Sequence, residues 1–192
     1  MITVKINGEE RQYPQGATYE DVANDYQKEY DNLIALAARD GKIRELFKKL
    51  TRDCEITFFT LKDDVGNKTY VRSATMLFLK AVFDVFGRET VQNCRVEFAI
   101  GNGSYISPKG KINATEENAA KIRNRMRELV EAKTPFLKKS YSLDNAMELF
   151  RREGMKDKEK LFRYRRGSFV NIYEMDGYYD YYYGYMLPNA GY

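Results

Sequence analysis

The sequence contains no histidine among its 192 residues. Histidine is the commonest metal ligand in proteins and the usual general base near neutral pH, so a Ser-His-Asp or Cys-His mechanism is impossible within this chain. The two cysteines, Cys54 and Cys94, are too few for a disulfide framework or a zinc knuckle. Carboxylates alone could bind a metal, but no dense cluster of Asp and Glu suggests such a site. We therefore expect no bound metal.

Long apolar runs are also missing. No stretch approaches the roughly 18 apolar residues that a membrane-spanning helix needs, so no membrane partner is expected. The N-terminal residues MITVKINGEE have neither the basic nor the apolar region of a signal peptide, which predicts a cytoplasmic protein. The chain contains no Gly-x-x-x-x-Gly-Lys-Ser/Thr motif for nucleotide phosphates. Gly101 and Gly103 form a lone Gly-x-Gly, which favours a hairpin turn over a phosphate site.

Charge is distributed unevenly along the chain, whose formal net charge is +4. Residues 1–60 carry a net charge of −2, and residues 61–192 carry +6. Ten basic and five acidic side chains fall within residues 138–166. Contact with a polyanion such as RNA is therefore expected in the second part of the chain. The alternative is that these charges form a solvated helix face.

The first sixty residues have the pattern of a mixed sheet with one helix. Residues 2–6 (ITVKI) alternate apolar and polar side chains, and Asn7-Gly8 after them is a strong hairpin signal. Thr18 and Asp21 then have the spacing of a capping box in front of a helix. Further short apolar segments follow, ending with residues 55–61 (EITFFTL). This order of elements predicts a β-grasp domain over residues 1–61.

The periodicity changes after a polar segment. Residues 62–69 contain Gly66-Asn67 and predict a linker. Apolar residues then recur at helical spacing from about Val71 to Phe86, and later segments predict further helices and strands. Residues 70–192 therefore form a second predicted domain, and the fold class is α+β.

Arg72 and Met76 lie four residues apart on the predicted helix, off its strongest apolar stripe, with Lys80 one turn further. Two histidines at this spacing could bind one metal ion. A guanidinium is a permanent cation and a thioether is a poor zinc ligand, so Arg72 and Met76 cannot bind a metal ion in this way.

Seven of the sixteen tyrosines fall within residues 175–192. In an extended strand, alternate tyrosines of this run would share a face. One face could stack on unpaired bases beside basic side chains, as single-strand binders do. The alternative is a core strand whose hydroxyl groups reach the surface.

Several segments together resemble a known arrangement of domains. The first sixty residues resemble a TGS domain, the small β-grasp unit of threonyl-tRNA synthetases and stringent-response synthetases. Residues 2–23 (ITVKINGEERQYPQGATYEDVA) carry this resemblance. The rest of the chain resembles the second additional domain, the editing domain shared by threonyl- and alanyl-tRNA synthetases. The segments that carry this second resemblance are YVRSATMLFLKAVFDVFG (70–87), NATEENAAKIRNRMRELVEAK (113–133), SLDNAMELFRREG (142–154), YRRGSFVNIY (164–173) and GYMLPNAGY (184–192).

In that family the helix carries His-x-x-x-His and the closing segment carries Cys-x-x-x-His, which together hold a metal or act on a mischarged tRNA. Matching the neighbouring residues places these four positions at Arg72, Met76, Tyr182 and Met186. All four are substituted. The resemblance therefore implies an editing-like domain that has lost its metal and its catalytic residues.

The same pairing of domains, with the tyrosine-rich segment, resembles the front of bacterial uridine kinase-like proteins. There a P-loop nucleoside kinase domain follows, and only such a domain would require ATP and magnesium. The resemblance thus implies a C-terminal kinase domain as partner, and no cofactor for residues 1–192.

The leading hypothesis is a non-catalytic accessory module that binds RNA, tRNA, a nucleotide or another small ligand and regulates a kinase. Arg72 would meet an anionic group, and Tyr182 and Met186 would line the pocket. RNA would contact Arg163, Arg165 and Arg166. The alternatives are an inert, filled pocket, a tRNA-editing deacylase and a purely structural dimerisation unit.

Overall fold

The computed structural model describes residues 1–101, 103–108 and 112–192. The chain divides into two compact units, which we call unit 1 and unit 2. Unit 1 comprises Met1–Ala74, Tyr183–Ala190 and Tyr192. Unit 2 comprises Thr75–Tyr182 and Gly191.

Unit 1 is built on a five-stranded mixed sheet. Its elements are the strands β1 (Ile2–Ile6), β2 (Glu9–Tyr13), β3 (Ile34–Arg39), β4 (Lys42–Glu45) and β5 (Cys54–Thr60), the helix α1 (Tyr19–Tyr26) and a 3-10 turn (Gln27–Glu29). The strand order is β2-β1-β5-β3-β4, and only β1 and β5 run parallel. The predicted mixed sheet with one helix is thus confirmed, whereas the TGS assignment stays a prediction.

Local sequence signals explain the start of unit 1. Asn7 and Gly8 both have positive φ, 52° and 89°, as a two-residue hairpin between β1 and β2 requires. The capping box before α1 is formed: the Asp21 amide donates to Thr18 Oγ1 at 3.1 Å, and the Thr18 amide donates to Asp21 Oδ2 at 2.7 Å. The core packs the apolar faces of α1 and the sheet together, and Val22, Tyr26 and Val4 belong to the same buried cluster.

The helix α2 (Asp64–Phe86) begins well before the predicted start at Val71. Most of the predicted linker 62–69 is therefore helical. Gly66 explains the difference, because a Cβ at this position would lie 1.9 Å from the backbone oxygen of Thr60. The glycine allows a close approach of helix and strand end and does not mark a loop. The division between the units falls within α2, after Ala74, and not at the linker predicted from the sequence.

Within the described residues, unit 2 contains α2 from Thr75 onward, four further helices and five strands, which form two small sheets. Its remaining elements are α3 (Arg88–Gln92), β6 (Arg95–Ile100), β7 (Gly103–Ser107), α4 (Glu116–Glu131), β8 (Leu137–Ser142), α5 (Leu143–Arg152), α6 (Lys156–Arg163), β9 (Phe169–Met175) and β10 (Tyr178–Asp180). The sheet β10-β9-β8 is antiparallel, and β6 pairs with β7. The α+β class is confirmed. The predicted turn at 101–104 includes Asn102, which lies outside the described residues.

The core of unit 2 lies between the three-stranded sheet and two helices. Phe150 of α5 and Phe162 of α6 are fully buried, with ring centroids 5.4 Å apart. They pack with Val170 and Ile172 of β9. As predicted, Ser142 caps α5, accepting a hydrogen bond from the Asn145 amide, and Thr115 caps α4 in the same way.

Candidate functional site

Arg72 lies on α2 and its guanidinium is held by the closing segment of unit 1. The Arg72 Nη1 donates to the backbone oxygen of Tyr185 at 2.7 Å. Gly184 fits against the same group: an added Cβ would lie 2.6 Å from Arg72 Cζ and equally close to both terminal nitrogens. Gly184 also has a φ of +135°, which favours glycine. The half-buried guanidinium thus packs against the backbone of Gly184 and Tyr185, and one of its donors is already used.

Met186 is fully buried beside the same turn of α2. The Ser73 hydroxyl donates to Thr69 O at 2.9 Å and lies 3.5 Å from Met186 Sδ, and it accepts the Leu187 amide at 3.0 Å. The buried carboxylate of Glu45 accepts the Met186 amide at 3.2 Å. The backbone amides of Met186 and Leu187 therefore both have protein partners. A buried amide without one would cost about 1–3 kcal/mol.

The other two predicted positions belong to unit 2. Met76 is fully buried on α2, and Tyr182 is half-buried at the end of that unit's chain segment. The structure thus brings Arg72 and Met186 together within unit 1. The ligand-binding role of the four positions stays a prediction.

Sequence reasoning missed a charged cluster around a buried lysine on the next turn of α2. Lys80 is 2% exposed, and its ammonium lies 2.7 Å from both Asp84 Oδ1 and the Asp176 backbone oxygen. Arg125 of α4 donates to the second oxygen of Asp84 at 2.8 Å. The sequence signal was present, because Lys80 continues the Arg72–Met76 line, but its partners lie in distant segments.

A second missed group is Asp180, the one acidic residue inside the tyrosine run. It is 4% exposed, accepts hydrogen bonds from the Tyr181 amide at 2.7 Å and the Tyr178 hydroxyl at 3.3 Å, and pairs with Lys158 at 3.2 Å. Burial, and then the charge of Asp180, raises the pKa of Tyr178 well above its ordinary value. Tyr178 therefore stays a neutral phenol at any physiological pH.

The tyrosine run is not one surface. Only Tyr178–Asp180 forms a strand, and Tyr178 is buried, whereas Tyr183 is 88% exposed. Tyr181 meets Phe162 edge-on at 5.0 Å and also accepts a hydrogen bond from Arg165, whose guanidinium lies over its ring. Most tyrosines of the run between Tyr178 and Tyr185 are therefore packed against the protein, and Tyr183 is the one exposed ring among them.

The three predicted RNA-binding arginines lie on an exposed segment from the end of α6 to the start of β9. We call this segment the arginine strip; it comprises Arg163, Tyr164, Arg165, Arg166 and Phe169. All five side chains are exposed, Tyr164 by 80% and Phe169 by 67%. Arg163 pairs with Glu159 at 3.0 Å, and no described residue hydrogen-bonds or pairs with Arg166.

The described residues contain neither a cluster of metal-ligating side chains nor a membrane-spanning helix. Within residues 1–101, 103–108 and 112–192, no group of three or more Cys, Asp or Glu side chains could hold a metal ion. In the same ranges, no helix has the length and apolar character needed to cross a membrane.

Comparison with known proteins relates the chain to one class of enzyme. No family model matches the sequence. Threonine–tRNA ligase of Thermotoga maritima is 29% identical over 195 residues, which cover 99% of this chain and 29% of that protein. The threonine–tRNA ligase of Maricaulis maris is 28% identical over 193 residues, covering 100% of this chain and 30% of that protein. The chain spans less than a third of these relatives, and along its full length it is similar to tRNA synthetases specific for threonine.

Proposed function

We propose that this chain is a tRNA-directed module related to threonine–tRNA ligase, which binds RNA without hydrolysing it. The observation that carries this proposal is the similarity, along the full chain, to proteins named threonine–tRNA ligase. The resemblance to editing domains, which places Arg72, Met76, Tyr182 and Met186 at the four metal-site positions, supports loss of hydrolysis. The Arg72 guanidinium supports it further, because the group is already hydrogen-bonded to the backbone oxygen of Tyr185.

The arginine strip is the RNA contact in this proposal. Arginine side chains neutralise phosphates and release counterions, which makes binding depend steeply on salt. Arg165 is oriented by Tyr181, and Arg166 is available to a ligand. The exposed rings of Tyr164 and Phe169 can stack on unpaired bases between these phosphate contacts. The strip therefore suits a single-stranded or unpaired RNA segment better than a smooth duplex.

The test is fluorescence anisotropy with a threonine-specific tRNA transcript at several salt concentrations. Changing Arg163, Arg165 and Arg166 together to Gln should weaken binding and lower the log–log salt slope by about 2, since each phosphate contact contributes ~0.7–0.9. The control changes Lys42, Lys48 and Lys49 to Gln, which removes the same charge from an exposed part of unit 1. Equal losses in both triple variants, or binding that ignores salt, would contradict the proposed interface.

A second candidate function is hydrolysis of mischarged tRNA, as in an editing deacylase. The similarity to threonine–tRNA ligases supports this candidate as well. The test is release of amino acid from a mischarged threonine-specific tRNA by the purified chain. Hydrolysis that disappears in Arg72→Ala or Tyr182→Phe would replace the non-catalytic proposal. No release above the uncatalysed rate is the outcome expected here.

A finer proposal is that the module regulates a nucleoside kinase domain in the cytoplasm. It rests on the resemblance to uridine kinase-like proteins alone, and the similarity to threonine–tRNA ligases lends it no support. The coding sequence beyond Tyr192 tests it directly, since a P-loop there is required.

A further inference from the structure

A cavity of about 540 Å³ lies wholly within unit 2, and none of its lining residues belongs to the arginine strip. Its walls come from Phe78 and Val82 of α2, Ile106 of β7, and Ile122 and Met126 of α4. The lining is mainly apolar, and the volume falls within the range of small-molecule sites, roughly 300–1,000 Å³. Neither RNA binding nor the four substituted positions uses this cavity.

The polar groups at one end of the cavity are already engaged with one another. Thr115 accepts the Asn118 amide at 3.2 Å, and the Asn118 side chain donates to Asn113 O at 3.0 Å. Glu116 pairs with Arg123 at 3.3 Å. Because these charges neutralise each other, the end of the cavity offers little attraction to an ionic ligand. Binding energy would come from burial of apolar surface, at roughly 25 cal/mol per Å².

We infer that this cavity is a binding site for a neutral, predominantly apolar small molecule, such as an aromatic compound. Among the described lining residues, a charged ligand would lose its hydration without gaining an unpaired partner of opposite charge. The bound molecule would contact both α2 and α4, so its binding stabilises the packing of those two helices by linkage.

The test uses the neutral fluorescent probe N-phenyl-1-naphthylamine and the full chain. Its fluorescence should rise saturably on binding. Ala119 is an exposed residue of α4 that lines the cavity, so Ala119→Trp fills the space without entering the core. This variant should weaken probe binding by about tenfold or more. Asn124→Trp, an exposed position of α4 outside the cavity, is the matched control and should bind like the unchanged protein.

A second readout uses Cys94, which lines the cavity and whose thiol pKa is raised by burial. Bound probe should slow the reaction of Cys94 with a disulfide reagent and leave Cys54, in β5 of unit 1, unaffected. Absence of saturable probe binding would overturn the inference, as would equal effects of the two tryptophan variants. A concentration-dependent dimer that Ala119→Trp abolishes would identify a second copy of the chain as the occupant and would also overturn it.

Discussion

The environment of Arg72 shows which features of a single side chain the sequence predicts and which it does not. Helical spacing correctly placed Arg72 beside the apolar stripe of α2. It could not supply the hydrogen-bond partner, a backbone oxygen 113 residues further along the chain. Nor could it show that Gly184 leaves room for the guanidinium, because an unusual φ at one glycine has no local sequence pattern. The position of Arg72 on the helix was predictable from the sequence, and its long-range contact with Tyr185 was not.

Gly184→Ala should destabilise unit 1 by about 1–3 kcal/mol, because the new Cβ displaces the Arg72 guanidinium and strains a positive φ. Urea unfolding followed by circular dichroism measures the change. The double variant Arg72→Ala/Gly184→Ala should recover part of the loss, since the clash disappears with the guanidinium. Strictly additive losses would show that the two residues do not interact.

Glu174 makes the free energy of unfolding of unit 2 depend on pH in the acidic range. Its hydrogen bond from Lys139 at 2.8 Å, assisted by the Gly177 amide, lowers its pKa below the ordinary 4.5. Stabilisation is therefore complete above pH 4.5 and is lost as the pH falls through the lowered pKa. The free energy of unfolding should fall less between pH 6 and pH 3 in Glu174→Gln than in the unchanged protein, by roughly 1 kcal/mol or less. Urea unfolding at several pH values in this range measures the difference. Glu131→Gln, at an exposed position of α4, should leave the pH profile unchanged.

Helices and strands were predictable where their signals are local. The Asn7-Gly8 hairpin and the caps at Thr18, Thr115 and Ser142 depend on neighbours within a few residues, and all formed as predicted. Strand β8 was missed because its sequence, LKKSYS, is largely polar and its partner β9 begins 27 residues after β8 ends. Lysines are common on edge strands, which need protection from further pairing.

Helix α2 contains two lysines that form similar ion pairs in different surroundings. Lys80–Asp84 and Lys68–Asp64 are both 2.7 Å apart and four residues apart in sequence. The Lys80 side chain is 3% exposed, and that of Lys68 is 66% exposed. Lys80→Met should cost about 1–3 kcal/mol, because the partly buried Asp84 carboxylate and the Asp176 backbone oxygen lose this buried donor.

Lys68→Met should change stability by no more than about 0.5 kcal/mol, since water screens and replaces an exposed pair. Thermal unfolding of both variants at pH 7 makes the comparison. Similar losses in the two variants would mean that burial does not set the energy of these pairs.

Across the whole molecule, residues far apart in sequence complete one unit. Tyr192 packs on the core of unit 1 and donates to Glu20 at 2.9 Å. Sequence reasoning assigned this segment to the second domain, because domain boundaries were taken as continuous ranges. A returning segment carries no compositional mark that distinguishes it from its neighbours.

Tyr192→Ala should therefore destabilise unit 1 by roughly 1–3 kcal/mol through lost packing. Faster labelling of Cys54 with a thiol reagent in mild urea would report the effect, since Cys54 also packs on that core. Tyr183→Ala, in the same segment but 88% exposed, is the control and should stay within about 0.5 kcal/mol of the unchanged protein. If Tyr183→Ala has the larger effect, the assignment of Tyr192 to the core is wrong.

The return of residues 183–190 and 192 to unit 1 also sets the order of events during synthesis. The sheet of unit 1 leaves the ribosome early, yet the partners of Glu45 and Ser73 are translated more than a hundred residues later. At about 5–20 residues per second, that interval lasts many seconds. Throughout it the nascent chain must keep an incomplete unit 1 soluble while all of unit 2 is made.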